Sequence, residues 1–141
     1  MGKIYSVEVT IERQLEENLI LEILEKGEEI GFKYYDYILG ERYEDSPLLN
    51  PKQAFKKYKE LSKIPDDPHS LYVEIAPQRY AYLSFWETED GFFKYDLGAF
   101  GNCKYRDTED YGEVIDFQFY IEIACQLGEK YRILKIFADT F

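Results

Sequence analysis

Few side chains in this sequence are of the types that carry out nucleophilic, acid-base or metal chemistry. Among 141 residues there is one histidine, His69, and there are two cysteines, Cys103 and Cys125. A zinc site needs several His or Cys ligands at a recognisable spacing, and these are missing. A Ser-His-Asp or Cys-His catalyst would have to use His69, and no nucleophile turn such as Gly-x-Ser-x-Gly is present. The phosphate-binding patterns GxxxxGK[ST] and GxGxxG are also missing. We therefore expect no catalytic residue, no metal site and no cofactor, and the sequence favours a binding protein over an enzyme.

Carboxylates are the abundant reactive groups. The chain has 28 Asp and Glu residues against 17 Lys and Arg residues, a net charge of -11. With so many acids a close pair arises by chance, so only a pair in a cleft with one raised pKa would indicate a hydrolase. The stretch 107–112 has oxygen ligands at alternate positions, as calcium loops do, but position twelve would be Gln118 instead of the closing Glu. We interpret this stretch as a solvated acidic loop.

Acidic and aromatic side chains alternate in several stretches outside the predicted helices. Tyrosine suits strands, because its ring fills a core edge while its hydroxyl reaches water, and this explains more than half of the 14 tyrosines. The remainder suggest an anionic, tyrosine-rich surface, in which rings give contact area and carboxylates steer a positive partner. The candidate partner-binding residues are Tyr43, Glu44, Asp45, Trp86, Glu87, Glu89, Asp90, Tyr105, Asp107, Glu109, Asp110 and Tyr111.

The charge also selects among partners and locations. An excess of 11 negative charges repels nucleic acid, which binds proteins through Lys and Arg. No stretch reaches the roughly 18 to 20 apolar residues that span a bilayer, and no signal peptide is recognisable. We expect a cytoplasmic, non-catalytic module, an inhibitor or immunity-type protein that neutralises a basic partner such as a toxin or nuclease. The alternative is a small-molecule binding or sensing domain with an aromatic pocket formed by Tyr80, Tyr82, Trp86 and Phe93.

Cysteine usage agrees with a reducing compartment. The two cysteines have no CxxC spacing, so free thiols are expected. Cys125 stands among apolar residues and is predicted to be buried, whereas Cys103 stands in a polar stretch and is predicted to be exposed. The sequence does not distinguish a monomer from a homodimer.

The first half of the chain reads as strand, helix, strand, acidic loop and helix. Residues 4–12 alternate as a half-buried strand does. Apolar residues over 13–26 recur at helical spacing, and Gly27 is expected to end that helix. A second strand is predicted over 30–38 and an acidic loop insertion over about 39–49. Asn50 and Pro51 then have the residue types of an N-cap and a first helical position, and they begin a lysine-rich helix.

The second half reads as a strand meander that ends in a helix and a strand. Strands are predicted over 71–75, 80–87 and 92–97, with an Asp90-Gly91 hairpin turn. Residues 113–127 fit both the alternation of a strand and the spacing of a helical face, and their length together with Gly128 favours a helix. A closing strand is predicted over 132–137. The prediction is one α+β domain over residues 1–141, with a mainly antiparallel sheet and about three helices packed against it.

Overall fold

A large antiparallel sheet organises the chain. The computed structural model describes residues 5–36, 46–63 and 70–140. Seven of the described strands form one sheet in the order β3-β2-β4-β5-β6-β1-β9, and β7 and β8 form a separate hairpin. The predicted α+β class is confirmed. The elements are β1 (Tyr5–Gln14), α1 (Glu17–Glu29), β2 (Lys33–Tyr35), β3 (Leu48–Leu49), α2 (Pro51–Leu61), β4 (Leu71–Ala76), β5 (Arg79–Glu87), β6 (Phe92–Phe100), β7 (Tyr105–Thr108), β8 (Gly112–Ile115), α3 (Phe117–Leu127) and β9 (Ile133–Thr140).

The sheet has one apolar face, against which the helices pack. Successive strand residues point to opposite faces, so alternate positions share an environment. In β1 and β6 the paired residues Val7 and Leu97, and Val9 and Tyr95, are at most 1% exposed. The buried residues of the helices, such as Ile23 of α1 and Ala124 of α3, belong to the same core. We refer to the other face of the sheet as the open face.

Helix α1 runs two residues past Gly27, so the expectation that Gly27 ends it is wrong. The helix ends in a Schellman motif. The N–H of Gly31 donates to the oxygen of Glu28 at 3.1 Å, and the N–H of Phe32 donates to the oxygen of Gly27 at 2.8 Å. Gly31 has φ +107°, the left-handed conformation that this motif requires and that glycine adopts without strain.

Gly27 is needed for a different reason. The hydroxyl of Tyr34, on β2, donates to the carbonyl oxygen of Leu24 at 2.6 Å. A Cβ on Gly27 would lie 2.1 Å from that hydroxyl oxygen. Gly128, after α3, stands in the same relation to Tyr95 of β6, whose hydroxyl donates to the oxygen of Ala124 at 2.5 Å. Two sheet tyrosines therefore hold two helices, each beside a glycine that leaves room for the ring.

The start of α2 agrees with its sequence signals. Asn50 is the N-cap and Pro51 is the first residue of the helix. The side chain of Asn50 accepts a hydrogen bond from the N–H of Gln53 at 2.8 Å, and the Gln53 side chain accepts one from the N–H of Asn50 at 2.9 Å. This reciprocal capping box satisfies two N–H groups that the helix itself leaves free.

The segment between β6 and α3 differs most from its prediction. Residues 105–108 and 112–115 form a hairpin, and α3 begins at Phe117, so the helix predicted over 113–127 is right only from 117 onwards. Asp116 is its N-cap and accepts from the N–H of Phe119. Cys103 is buried, so its expected exposure is wrong, and Cys125 is half-buried where full burial was expected; both thiols are free, as expected. Burial raises the pKa of both thiols.

Two expectations fall partly or wholly outside the described residues. His69 lies in 64–69 and most of the acidic loop insertion lies in 37–45. The described end of that insertion includes β3, a two-residue strand that pairs with β2. The closing strand β9 is longer than predicted and reaches Thr140.

The contact between Gly27 and Tyr34 predicts a non-additive pair of substitutions. Gly27→Ala should lower the free energy of unfolding by about 1 to 3 kcal/mol through overpacking, although alanine is the better helix residue by about 1 kcal/mol. Tyr34→Phe should cost about 1 kcal/mol through the lost hydrogen bond. Because the phenylalanine ring has no hydroxyl to clash, the double variant should lose less than the sum of the two single losses.

Chemical denaturation of the four proteins measures this coupling. Glu25→Ala, an exposed change on the same helix, is the control and should be nearly neutral. Strict additivity of Gly27→Ala and Tyr34→Phe would show that the hydroxyl does not occupy the space beside Gly27.

Candidate functional site

The hairpin of β7 and β8, residues 105–115, carries the largest described group of predicted partner-binding residues, and we name it the acidic arm. It contains four carboxylates and one basic residue, Arg106. Most of its residues are exposed, and Tyr111 near its tip is 82% exposed. Ile115, at its base, is buried. The acidic arm is therefore an acidic, solvated projection with an aromatic ring near its end.

A three-residue loop closes the arm. Thr108 and Gly112 are paired, and Gly112 has φ +67°. The hydroxyl of Thr108 accepts a hydrogen bond from the N–H of Tyr111 at 2.9 Å and donates to the oxygen of Gly112 at 2.9 Å. A left-handed glycine directly after the loop lets the chain turn back into the second strand without strain. The loop thus has a defined shape, and it fixes the position of Tyr111.

Two carboxylates of the arm lie directly opposite each other. Asp107 on β7 is the cross-strand partner of Glu113 on β8, and both side chains are exposed. Like charges at directly opposite positions destabilise a hairpin. Neither residue forms an ion pair with any residue in the described part of the chain. This pair is thus a local concentration of negative charge that the described fold leaves uncompensated.

The base of the arm is held firmly against α3. The N–H of Asp116 donates to the oxygen of Lys104 at 2.9 Å, and the N–H of Lys104 donates to the hydroxyl of Tyr120 at 2.7 Å. Burial raises the pKa of Tyr120 to about 12, so this phenol stays neutral. The ammonium of Lys104 lies 4.6 Å from the centre of the Phe119 ring. Hydrogen bonds and packing together fix the direction in which the arm leaves the body.

A second group of predicted residues lies around the turn between β5 and β6. Gly91 has φ +84°, and the hydroxyl of Thr88 accepts from the N–H of Phe92 at 3.0 Å, so the predicted Asp90-Gly91 turn is confirmed. Trp86 is 46% exposed on the open face, opposite Lys94. The exposed carboxylates beside this turn, none of which forms an ion pair with a described residue, are Glu87, Glu89 and Asp90.

The structure separates these two groups. The turn precedes β6, and the acidic arm follows the other end of this nine-residue strand. At about 3.3 Å per residue, the ends of β6 are roughly 26 Å apart. Tyr105, Asp107, Glu109, Asp110 and Tyr111 therefore share one end of the sheet. Trp86, Glu87, Glu89 and Asp90 lie at the other end, and Tyr43, Glu44 and Asp45 lie outside the described residues.

Helix α1 contains an acidic side chain, Glu22, that has partners within the fold. Lys130 lies 3.7 Å from the carboxylate of Glu22, and the hydroxyl of Tyr131 hydrogen-bonds to the same side chain. That hydrogen bond, with Lys130, lowers the pKa of Glu22. Lys26 pairs with Glu129 at 2.5 Å. Glu22 and Lys26 of α1 thus have partners of opposite charge in the segment after α3, in contrast to Asp107 and Glu113 of the arm.

Glu113 is the arm residue that the sequence reasoning missed as a site residue. The sequence pattern places Glu113 in the following helix, so it gives no sign of a position opposite Asp107. The signal in the sequence is Tyr111-Gly112 after two acids, followed by the alternation of Glu113, Val114 and Ile115. That pattern is typical of a hairpin loop with a glycine at its third or fourth position.

The aromatic pocket of the alternative function does not form as expected. Tyr80, Tyr82 and Trp86 are on the open face, whereas Phe93 is fully buried on the face under the helices. Tyr82 instead packs against Phe100 and Tyr72, with ring centres 4.3 Å and 4.8 Å away. These rings lie side by side across three strands and form a surface layer.

The open face contains one pair of neighbouring carboxylates of which one has a raised pKa, a feature that a hydrolase site would also have. Asp96 of β6 is opposite Glu8 of β1. Burial is the main reason that the pKa of Asp96 is raised, and the hydroxyl of Ser6 donates to its carboxylate at 2.5 Å. Glu8 pairs with Lys94 at 3.2 Å. Both acids are thus engaged by neighbours on a sheet face, and neither lines the cleft described below.

A cleft of about 780 Å³ lies along α1, bordered by the start of α2 and by the segment after α3. Charged side chains dominate its lining, including Glu25, Lys26 and Lys52. The ion pair of Lys26 with Glu129 and the contacts of Lys130 and Tyr131 with Glu22 lie along this cleft, and they join α1 to the chain after α3. Its chemistry is that of a structural ion-pair network.

Among residues 5–36, 46–63 and 70–140, no three His, Cys, Asp or Glu side chains are grouped as a metal site requires. Within the same ranges, no helix has the length and apolar character needed to cross a bilayer.

No protein-family model matches this sequence, and neither a curated protein nor a solved structure shows significant similarity to it. The geometry and charge of the chain are therefore the basis for assigning a function.

The raised pKa of Asp96 predicts a stability difference that depends on pH. Burial holds the pKa of Asp96 above its ordinary value of 3.8 in the folded chain, so the folded state binds the proton more tightly than the unfolded state. Stability from this residue is present below pH 3.8 and is lost as the pH rises through the folded pKa. Asp96→Asn keeps an acceptor for Ser6 and removes the charge. It should therefore raise the melting temperature at neutral pH, with a gain that shrinks in acid.

Thermal denaturation at neutral and acidic pH measures this difference. Asp90→Asn, at an exposed turn position where asparagine fits equally well, is the control and should show no such trend. A gain from Asp96→Asn that stays constant down to acidic pH would contradict burial of the charged form as its cause.

Proposed function

We propose that this chain is a non-catalytic protein-binding module of the inhibitor or immunity type, which holds a basic partner such as a toxin or nuclease. The acidic arm is the proposed contact surface. The observation that carries the proposal is the pair Asp107 and Glu113, two exposed carboxylates opposite each other with no described cation between them.

The like-charge pair favours binding because a cation of the partner can remove the repulsion between the two carboxylates. Opposed like charges on a hairpin are unfavourable, and cross-strand charge pairs are worth about 0.2 to 1 kcal/mol each. A Lys or Arg of the partner placed between the two carboxylates would turn this repulsion into two attractions. Glu109 and Asp110 in the loop extend the same negative field and steer a basic surface towards the arm.

Two tyrosines give the arm apolar contact area. Tyr111 is 82% exposed and Tyr105 is 38% exposed. Tyrosine is enriched among residues that dominate binding energy, since a rigid ring buries much area for little lost entropy. Rings flanked by carboxylates suit a basic groove, in which aliphatic stems of Lys and Arg meet the rings and their charged ends meet the acids.

The fixed base of the arm makes binding less costly. Hydrogen bonds from the N–H groups of Asp116 and Lys104 hold the arm to its neighbours, and Thr108 fixes the loop. A preorganised surface loses less entropy on association than a mobile one. Both cysteines are free, which suits the reducing cytoplasm that we propose as its location.

Capture from lysate of the host cell tests the proposed partner class. With the full chain immobilised, we expect one basic protein to be retained at low salt and released at high salt, because added ions screen exposed charges. Mass spectrometry of the eluate identifies it. Retention of acidic proteins only, or retention that salt does not weaken, would contradict a charge-steered inhibitor.

Neutralising the arm tests where that partner binds. The triple variant Glu109→Gln, Asp110→Asn and Glu113→Gln should raise the Kd for the captured protein about tenfold or more, and Tyr111→Ala should do so without a charge change.

A matched variant removes the same number of charges elsewhere. Glu17→Gln, Glu25→Gln and Glu60→Gln alter exposed helix acids that make no ion pair among the described residues. Its Kd, measured by calorimetry, should stay within about twofold of the unmodified protein, since screening weakens distant charges. Equal losses in the two triple variants would mean that net charge, and not the arm, determines binding.

A further inference from the structure

The C-terminal strand β9 forms an edge of the seven-stranded sheet. It is last in the strand order, next to β1, and no described strand pairs with its outer side. Three apolar side chains of this strand are exposed: Leu134 is 42% exposed, Ile136 is 43% and Phe137 is 47%. An edge strand presents a row of free N–H and C=O groups, which is a template for another strand.

The usual protections of an edge are weak in β9. The strand has eight residues and no proline, and its one irregularity lies near its start, opposite Ile11. Only Lys135 and Asp139 are charged. At the opposite end of the sheet, the described edge strand β3 has two residues. A long edge with exposed apolar residues is a site at which chains associate.

We propose that two copies of this chain pair through β9, antiparallel, about a two-fold axis that passes beside Phe137 perpendicular to the sheet. The two seven-stranded sheets then form one continuous antiparallel sheet. This interface goes beyond the proposed function, because no residue of the acidic arm belongs to β9.

The charges of β9 are complementary to those of a second copy in this arrangement. Pairing with β1 places Lys135 opposite Thr10, Phe137 opposite Glu8 and Asp139 opposite Ser6, so all three β9 side chains point to the open face. When β9 pairs with itself about Phe137, Lys135 of each copy lies opposite Asp139 of the other. Directly opposite residues in antiparallel strands interact, and opposite charges attract. The interface therefore contains the same favourable ion pair twice, as two-fold symmetry requires.

Neighbouring registers lose this match. Pairing centred on Lys135 or on Asp139 sets two like charges opposite each other. Pairing centred on Ile136 sets Lys135 opposite Phe137, and pairing centred on Ala138 sets Asp139 opposite Phe137. Only the register centred on Phe137 brings both charges of each copy to a partner of opposite sign, and it also places the two exposed phenylalanine rings together.

The same register covers the other face of the strand. Ile136 and Ala138 pair with Val9 and Val7 of β1 and so lie on the helix-covered face. In the dimer, Ile136 of each copy lies opposite Ala138 of the other, a large residue against a small one. Apolar side chains of β9 thereby contact those of the second copy on both faces of the sheet, and the apolar area between them is removed from water.

The first test is the mass of the full chain in solution. Analytical ultracentrifugation over a wide range of protein concentration should give a species of twice the 16.8 kDa of one chain. A chain that sediments as a monomer at every concentration would overturn the proposal.

Charge exchange tests the register. Lys135→Glu sets two carboxylates opposite each other twice per dimer, and Asp139→Lys does the same with two ammonium groups. Each should raise the dimer dissociation constant about tenfold or more, since two attractions become two repulsions. An equimolar mixture of the two variants should again form dimers, because each mixed dimer contains two complementary pairs. The double variant Lys135→Glu with Asp139→Lys should dimerise like the unmodified chain.

The mixture excludes misfolding as the explanation, because a protein that cannot fold is not rescued by another variant. Lys56→Glu, an equal charge change on the exposed side of α2, is the control and should leave the dimer intact. A dimer that survives both single variants would mean that another surface joins the copies. The proposal would also be overturned if the two single variants stayed monomeric when mixed. It would likewise be overturned if the chain were monomeric and a change in β9 abolished capture of the basic partner.

Discussion

The fold depends on two buried tyrosine hydroxyls that join helices to the sheet. Tyr34 donates to the carbonyl oxygen of Leu24 in α1, and Tyr95 donates to that of Ala124 in α3. Both side chains are at most 1% exposed, and burial raises the pKa of each far above its usual value. In a dry interior an unbonded hydroxyl is costly, so each helix has one favourable position over the sheet. The fixed position of α3 in turn sets where the acidic arm leaves the body.

The negative charge of the chain has two different roles. On α1 and the segment after α3, acids meet Lys26, Lys130 and Tyr131, so that charge helps to join elements of the fold. Around Asp107 and Glu113 it meets no described base, and the two side chains repel each other across the hairpin. A net charge of -11 alone could not separate these cases. Position within the fold separates acids that join elements from acids, such as those of the arm, that make no ion pair with a described residue.

The sequence predicted those elements whose residues determine their own conformation. Asn50 and Pro51 mark the start of α2, and the alternation in β1 and around Asp90-Gly91 predicts strands and a turn, because capping and periodicity act locally. Gly27 was misread because its reason is Tyr34, a contact between elements that no local pattern contains. The residues 113–115 were misread because their alternation also fits a helical face. For the candidate site, the acidic and aromatic residues can be selected from the sequence, but their division between two ends of β6 follows from the strand order.

Hydrogen exchange of the chain, free and bound to the proposed basic partner, tests the central claim most directly. The account predicts that binding slows the exchange of backbone amides in residues 104–116, the arm and its base, while α1 and α2 exchange as before. Slower exchange confined to the helices, with the arm unchanged, would contradict the arm as the contact surface.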